Sequence, residues 1–150
     1  MEPTTIEIAK KMAAYFNDHI TLKALITWNL KASHLLVKHY PDDDDRARNA
    51  TGFLASFGYV FIPSLLEARS EEERLLRLEE ALPDLLRAYL YCNIKPAFAE
   101  IGKAFLNDYE EVEQEEEDVT EFMNTLTHLM ALGEIYREHE FSDLQKSKAA

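Results

Sequence analysis

Apolar residues recur at three- and four-residue spacing along most of this chain, and nowhere do they alternate with polar ones for long enough to make a strand. One stretch breaks the rhythm. Residues 50–66, ATGFLASFGYVFIPSLL, carry no charge and put apolar side chains on every side of a helical wheel, which predicts a helix over about 46–66 buried on most of its surface. Phe53, Leu54, Phe57, Phe61 and Ile62 are expected to fill the core, while Gly52, Ala55, Ser56 and Gly58 let neighbouring helices approach. Pro63 is expected to kink or end the helix. A membrane span is the rival reading. The run lies at the lower limit of about 17–25 residues and holds Asn49, Thr51, Ser56, Pro63 and Ser64 in or beside it, so the core helix is preferred.

The remaining helices follow from capping signals and periodicity. Thr4 and Glu7 form a capping box that opens a first helix with Ile8, Met12, Tyr15 and Phe16 inward. Asp18 is expected to cap a second helix running to about Tyr40, with Ile20, Leu22, Leu25, Ile26, Trp28, Leu35 and Leu36 inward; a single bent helix is the alternative. Pro41 and the acidic residues 42–45 make a loop, with Asp45 capping the central helix. Ser70 and Glu73 form a second capping box before Leu75, Leu76, Leu78 and Leu82. Pro83 either kinks that helix or starts another through Leu85, Leu86, Tyr89 and Leu90, and a break near residues 93–95 precedes Phe98, Ile101, Phe105 and Leu106. Asp118 is read as the cap of a last helix with Val119, Phe122, Leu126, Leu129, Met130, Gly133 and Tyr136 on one stripe, and the tail from about 142 is expected to fray. The fold class is therefore all-α, an irregular bundle of five to seven helices in one domain spanning residues 1–150.

Charge narrows the function classes. The formal net charge of −12 and the scattered basic residues leave no electrostatic footprint for nucleic acid or an anionic membrane. The single cysteine, Cys92, has apolar neighbours that suggest a buried thiol, and a reducing cytoplasm is the expected compartment. No secretory signal pattern is seen at the N-terminus.

No catalytic, cofactor or metal site is expected. Glu-x-x-His pairs of the di-iron kind are absent, because none of the residues three or four before His19, His34, His39, His128 and His139 is acidic. His39 with Asp42 or Asp43 has a suitable separation, but Pro41 breaks the helix that would align them. A calcium loop beginning at Asp42 lacks its turn glycine and final carboxylate. His34 with Lys38 lacks the small residues of a phosphotransfer site.

The expected function is thus a non-enzymatic interaction module, a regulator or inhibitor of a protein with a basic surface. Its contact residues would be the acidic block Glu110, Glu111, Glu113, Glu115, Glu116, Glu117 and Asp118. The alternatives are a small-molecule or enzymatic bundle with a pocket lined by Trp28, Tyr59, Tyr89 and Tyr91 and polar handles from His34 or His128, and a homo-oligomer that covers the surplus aromatics.

Overall fold

A computed structural model describes residues 3–39, 45–111 and 116–149. It is 92% helical, with six helices and no strand among the described residues. These are α1 (Pro3–His19), α2 (Leu22–His39), α3 (Asp45–Ser56, then a π segment Phe57–Phe61, then Ile62–Leu66), α4 (Glu71–Tyr91), α5 (Lys95–Glu111) and α6 (Glu116–Ala149).

The organising elements are α2 and α6, not α3. Helix α6 packs on α1, α2, α4 and α5, whereas α3 lies against α2, α4 and α5 with one side left to solvent. Trp28 of α2, fully buried, sits at the centre, with Phe57, Phe98 and Phe122 at ring-centroid distances of 6.3, 5.2 and 6.2 Å. Aromatic rings at these separations add edge and stacking attraction to the area they bury. Every helix contributes to this one apolar core.

The sequence reading overstated the burial of α3. Phe53, Leu54, Phe57, Phe61 and Ile62 point inward as expected, and Leu65 with them, but Thr51, Gly52, Ala55, Ser56, Tyr59 and Val60 are exposed. Small uncharged residues need no burial, and hydropathy alone does not separate them from large ones. Gly58 does admit a neighbour: a Cβ there would stand 2.7 Å from Nδ2 of Asn29 on α2. Gly52 meets nothing. Arg48–Leu66 is long and apolar enough to cross a membrane by composition, yet its inward residues complete the core that α2, α4 and α5 share. Pro63 does not end the helix; it stands in the first turn after the π segment, where a missing N–H is tolerated.

Chain breaks follow local chemistry. Helix α1 continues past Asp18, and Ile20 N donates to Phe16 O at 2.8 Å, so the cap of α2 falls to Thr21, whose Oγ1 accepts from Ala24 N at 3.1 Å. The cap expected at Asp18 is thereby displaced by three residues. Ser70 does cap α4, accepting from Glu73 N at 3.0 Å, while Glu73 reaches back to Arg69 N at 2.9 Å. Pro83 lies inside α4 without ending it, because Leu78, Leu82 and Leu86 on either side are buried. Leu106, expected to face inward with Phe98, Ile101 and Phe105, is instead exposed, as is Leu76.

Helix α4 ends in a Schellman motif. Asn93 takes the left-handed conformation at φ 55°, its N–H bonds Leu90 O at 3.3 Å, and Ile94 N–H bonds Tyr89 O at 3.0 Å. Helix α6 begins at Glu116, ahead of the expected cap at Asp118, which puts Glu116, Glu117 and Asp118 into its first turn, where the helix dipole favours acids. The helix runs on to Ala149, past residue 142, where the sequence suggested a frayed tail.

Candidate functional site

The outward side of α3 is uncharged from Thr51 to Val60, one turn beyond the exposed Arg48. Tyr59 is 84% and Val60 68% exposed, and Gly52, Ala55 and Ser56 lie a turn or two before them along the same helix. Large apolar side chains held this far into solvent are informative, because most of the others have found the core.

The acidic block does not form one described surface. Glu110 and Glu111 end α5 and Glu116 begins α6, Glu117 and Asp118 are exposed, and Glu113 and Glu115 lie outside the described residues. The block therefore spans the α5–α6 junction.

The aromatic pocket expected from Trp28, Tyr59, Tyr89 and Tyr91 is not formed. Trp28 and Tyr89 are core residues, Tyr59 and Tyr91 are exposed, and His34 is exposed on α2. Helical periodicity placed these rings on plausible faces but not on a common one. Cys92, expected buried, is exposed at the end of α4. Its apolar neighbours Leu90 and Ile94 turn inward, while the Schellman turn carries Cys92 and Asn93 outward.

Polar groups gather instead along the seam of α4 and α6. A cleft of about 170 Å³ is lined by Tyr89, Asn93, Lys95, Gly133, Glu134 and Arg137, with Lys95 Nζ 2.6 Å from Glu134 Oε1. That ion pair holds the Glu134 carboxyl below its usual range, chiefly through the Lys95 hydrogen bond. Tyr89 is pushed well up by burial and then by the Glu134 charge, and its hydroxyl is buried with no partner among the described residues. Farther along, Tyr136 donates to Glu140, Arg87 Nε donates to the Tyr136 hydroxyl at 3.3 Å, and Tyr91 donates to Glu140 at 3.5 Å. The bonds of Arg87 and Tyr91 tie α4 to α6, and that of Tyr136 to Glu140 lies within α6. Burial and then the Glu140 hydrogen bond raise the Tyr136 pKa, so the phenol stays protonated and acts as a donor.

His39, weighed in the sequence with Asp42 and Asp43, which lie outside the described residues, pairs with Asp108 at 3.1 Å beside Lys38 at 3.0 Å. The Lys38 hydrogen bond, aided by His39, holds the Asp108 carboxyl low. Lys38 is thus turned toward α5, and no phosphotransfer arrangement forms with His34.

A further cluster joins α1 to α6 and was invisible to sequence spacing, since His128 stands more than a hundred residues from Tyr15 and His19. Tyr15 bonds His128 Nδ1 through its hydroxyl at 2.9 Å and accepts from His19 Nδ1 through its main-chain oxygen at 2.9 Å. The His19 ring stacks on Tyr15 at 4.2 Å and 23°, and its centroid is 4.8 Å from that of His128. Burial, then the charge of His19, lowers the His128 pKa below its usual 6.5.

Because the folded state holds His128 less readily protonated than the unfolded chain does, its contribution is present above about pH 6.5 and is lost as pH falls through the lowered folded value. In metal-free buffer the melting temperature should therefore drop between pH 7 and 5, and His128→Gln should make that drop shallower. Parallel profiles for the two proteins would refute this linkage.

Among the described residues no group of three or more His, Cys, Asp or Glu converges as a metal site. No family model, no curated protein and no solved structure matches this chain, so its function has to be read from the surfaces and clusters described above.

Proposed function

We propose that this chain is a non-catalytic acidic helical module that binds another protein, docking the outward face of α3 onto a partner with a basic surface. The carrying observation is the exposure of Tyr59 and Val60 at the end of an uncharged stretch of helix face that begins at Thr51. Tyrosine is among the commonest anchors of protein interfaces, where a desolvated apolar centre holds the partner and a charged surround guides it. The −12 net charge supplies the guiding field and favours a basic partner. In this reading Glu110, Glu111, Glu113, Glu115, Glu116, Glu117 and Asp118 act on encounter, and Tyr59 acts on residence. An exposed Cys92 thiol suits a reducing compartment, and the cytoplasm is the proposed location.

The small-molecule reading draws little support, because the cleft beside Tyr89 is about 170 Å³, below the ~300–1,000 Å³ usual for ligand pockets, and a wider hollow of about 400 Å³ is lined by Glu117, Thr120, Glu121 and Asn124 of α6 with no large apolar side chain.

The test is capture from the native cell followed by kinetics on the purified partner. Tyr59→Ser with Val60→Ser should speed dissociation about tenfold or more, the loss of one anchor of roughly 1.4 kcal/mol or greater. Glu113, Glu115, Glu116 and Glu117 changed together to Gln should slow association and flatten its salt dependence. Unchanged capture by the Tyr59 and Val60 variant would remove the face from the reading. A halving of the wild-type mass in light scattering on making that variant would assign the face to a second copy instead.

A further inference from the structure

Tyr15 holds two imidazoles by the same atom, Nδ1. His19 Nδ1 donates to the Tyr15 main-chain oxygen, an acceptor only, which fixes the proton on Nδ1 and leaves Nε2 with its lone pair. His128 Nδ1 faces the Tyr15 hydroxyl, which takes either role, so the tautomer with a free Nε2 keeps that bond. Histidines that bind metals have this arrangement: one ring nitrogen is oriented by a carbonyl or another polar group, and the other is left for the ion.

The ring separation fits as well. An ion about 2.1 Å from Nε2 lies roughly 3.2 Å from the ring centroid, so two rings on one ion at angles of about 90–110° stand ~4.5–5.2 Å apart. His19 and His128 are 4.8 Å apart. We propose that His19 and His128, oriented by Tyr15, form a two-histidine site for one divalent transition ion of the zinc, nickel and copper class at the seam of α1 and α6. Imidazole nitrogen suits these ions, whereas calcium and magnesium require oxygen ligands.

The cluster also resists the competing proton. Two imidazolium rings at 4.8 Å would repel, which favours the neutral pair that an ion needs. No third His, Cys, Asp or Glu joins the pair among the described residues, and His19 is exposed. The remaining coordination positions are therefore open to water or to an external donor. This site is independent of the α3 face.

The test is zinc titration of protein first stripped with a chelator, followed by calorimetry, thermal melts and the ring-nitrogen NMR shifts of the five histidines. One ion per chain is expected, with a melting temperature that climbs with free zinc and with Nε2 shifts at His19 and His128. His19→Gln and His128→Gln should each weaken binding about tenfold or more, Tyr15→Phe should weaken it by a similar factor through lost orientation, and His34→Gln should leave it unchanged. The NMR shifts on the unaltered protein keep the test valid if a variant fails to fold. Absence of saturable binding up to about 1 mM zinc, or binding retained in both histidine variants, would overturn the proposal.

Discussion

Phe57→Ala should cost the protein about 3–5 kcal/mol, a large share of the ~5–15 kcal/mol that holds a domain of this size together. Phe57 is 1% exposed and opens the π segment of α3, with Phe61 at 5.0 Å, Phe53 at 5.9 Å and Trp28 at 6.3 Å from its ring centroid. Three rings on two helices would line the resulting void. None can fill it by a rotamer change without abandoning another contact, so the cavity penalty adds to the lost transfer energy. Tyr59→Ala, two residues along the same segment but exposed, should cost less than about 0.5 kcal/mol. Urea melts of the two variants settle the matter: a loss below about 1 kcal/mol for Phe57→Ala would mean that α3 does not anchor the core.

Gly133→Ala should destabilise by roughly 1–3 kcal/mol although alanine is the better helix former by about 1 kcal/mol. A Cβ at Gly133 would lie 2.3 Å from Cε1 and 2.8 Å from Cδ1 of Tyr89. The Tyr89 ring cannot swing clear, since Phe98 at 5.3 Å and Phe53 at 6.2 Å confine it. In a Tyr89→Ala background the same change should become neutral or stabilising, and the double-mutant cycle measures that coupling. An additive cycle would show that the close approach of α4 and α6 is relaxed some other way.

The all-α class was legible because the chain offers 3.6-residue periodicity, capping signals and few glycines or prolines. The Ser70 cap and the break before Lys95 were equally legible, each depending on residues within a turn of one another. Failures began where two local signals competed. Asp18 and Thr21 both suit a cap, and the choice fell to Thr21 because Ile20, at 5% exposure, is drawn inward on the last turn of α1. The uncharged run in α3 was misread in a different way. Its small residues look apolar in sequence yet need no burial, and two of its large ones, Tyr59 and Val60, fall on the outer side of the helix.

The sites were less legible than the fold. Tyr15, His19 and His128 come together through the packing of the first helix on the last, which no spacing along either helix reports. The same holds for Arg87 with Tyr136 and for Lys38 with Asp108. Chain-local reasoning finds chemistry only when its residues share an element, and here every cluster bridges two.

The π segment from Phe57 to Phe61 has a geometric outcome for the surface of α3. At 100° per residue, Ile62 would fall about 120° away from Ala50 on the helix circumference, well off the inward stripe that Phe53 and Phe57 define. A wider turn, closed by i→i+5 bonds, advances less per residue and swings Ile62 back beneath the stripe. The same turn encloses an extra residue that has no room on the inner side. Val60 is carried outward on that surplus to join Tyr59, which 100° per residue already sets about 180° from Ala50, so the apolar pair on the outside of α3 owes one of its members to a correction that keeps the interior in phase.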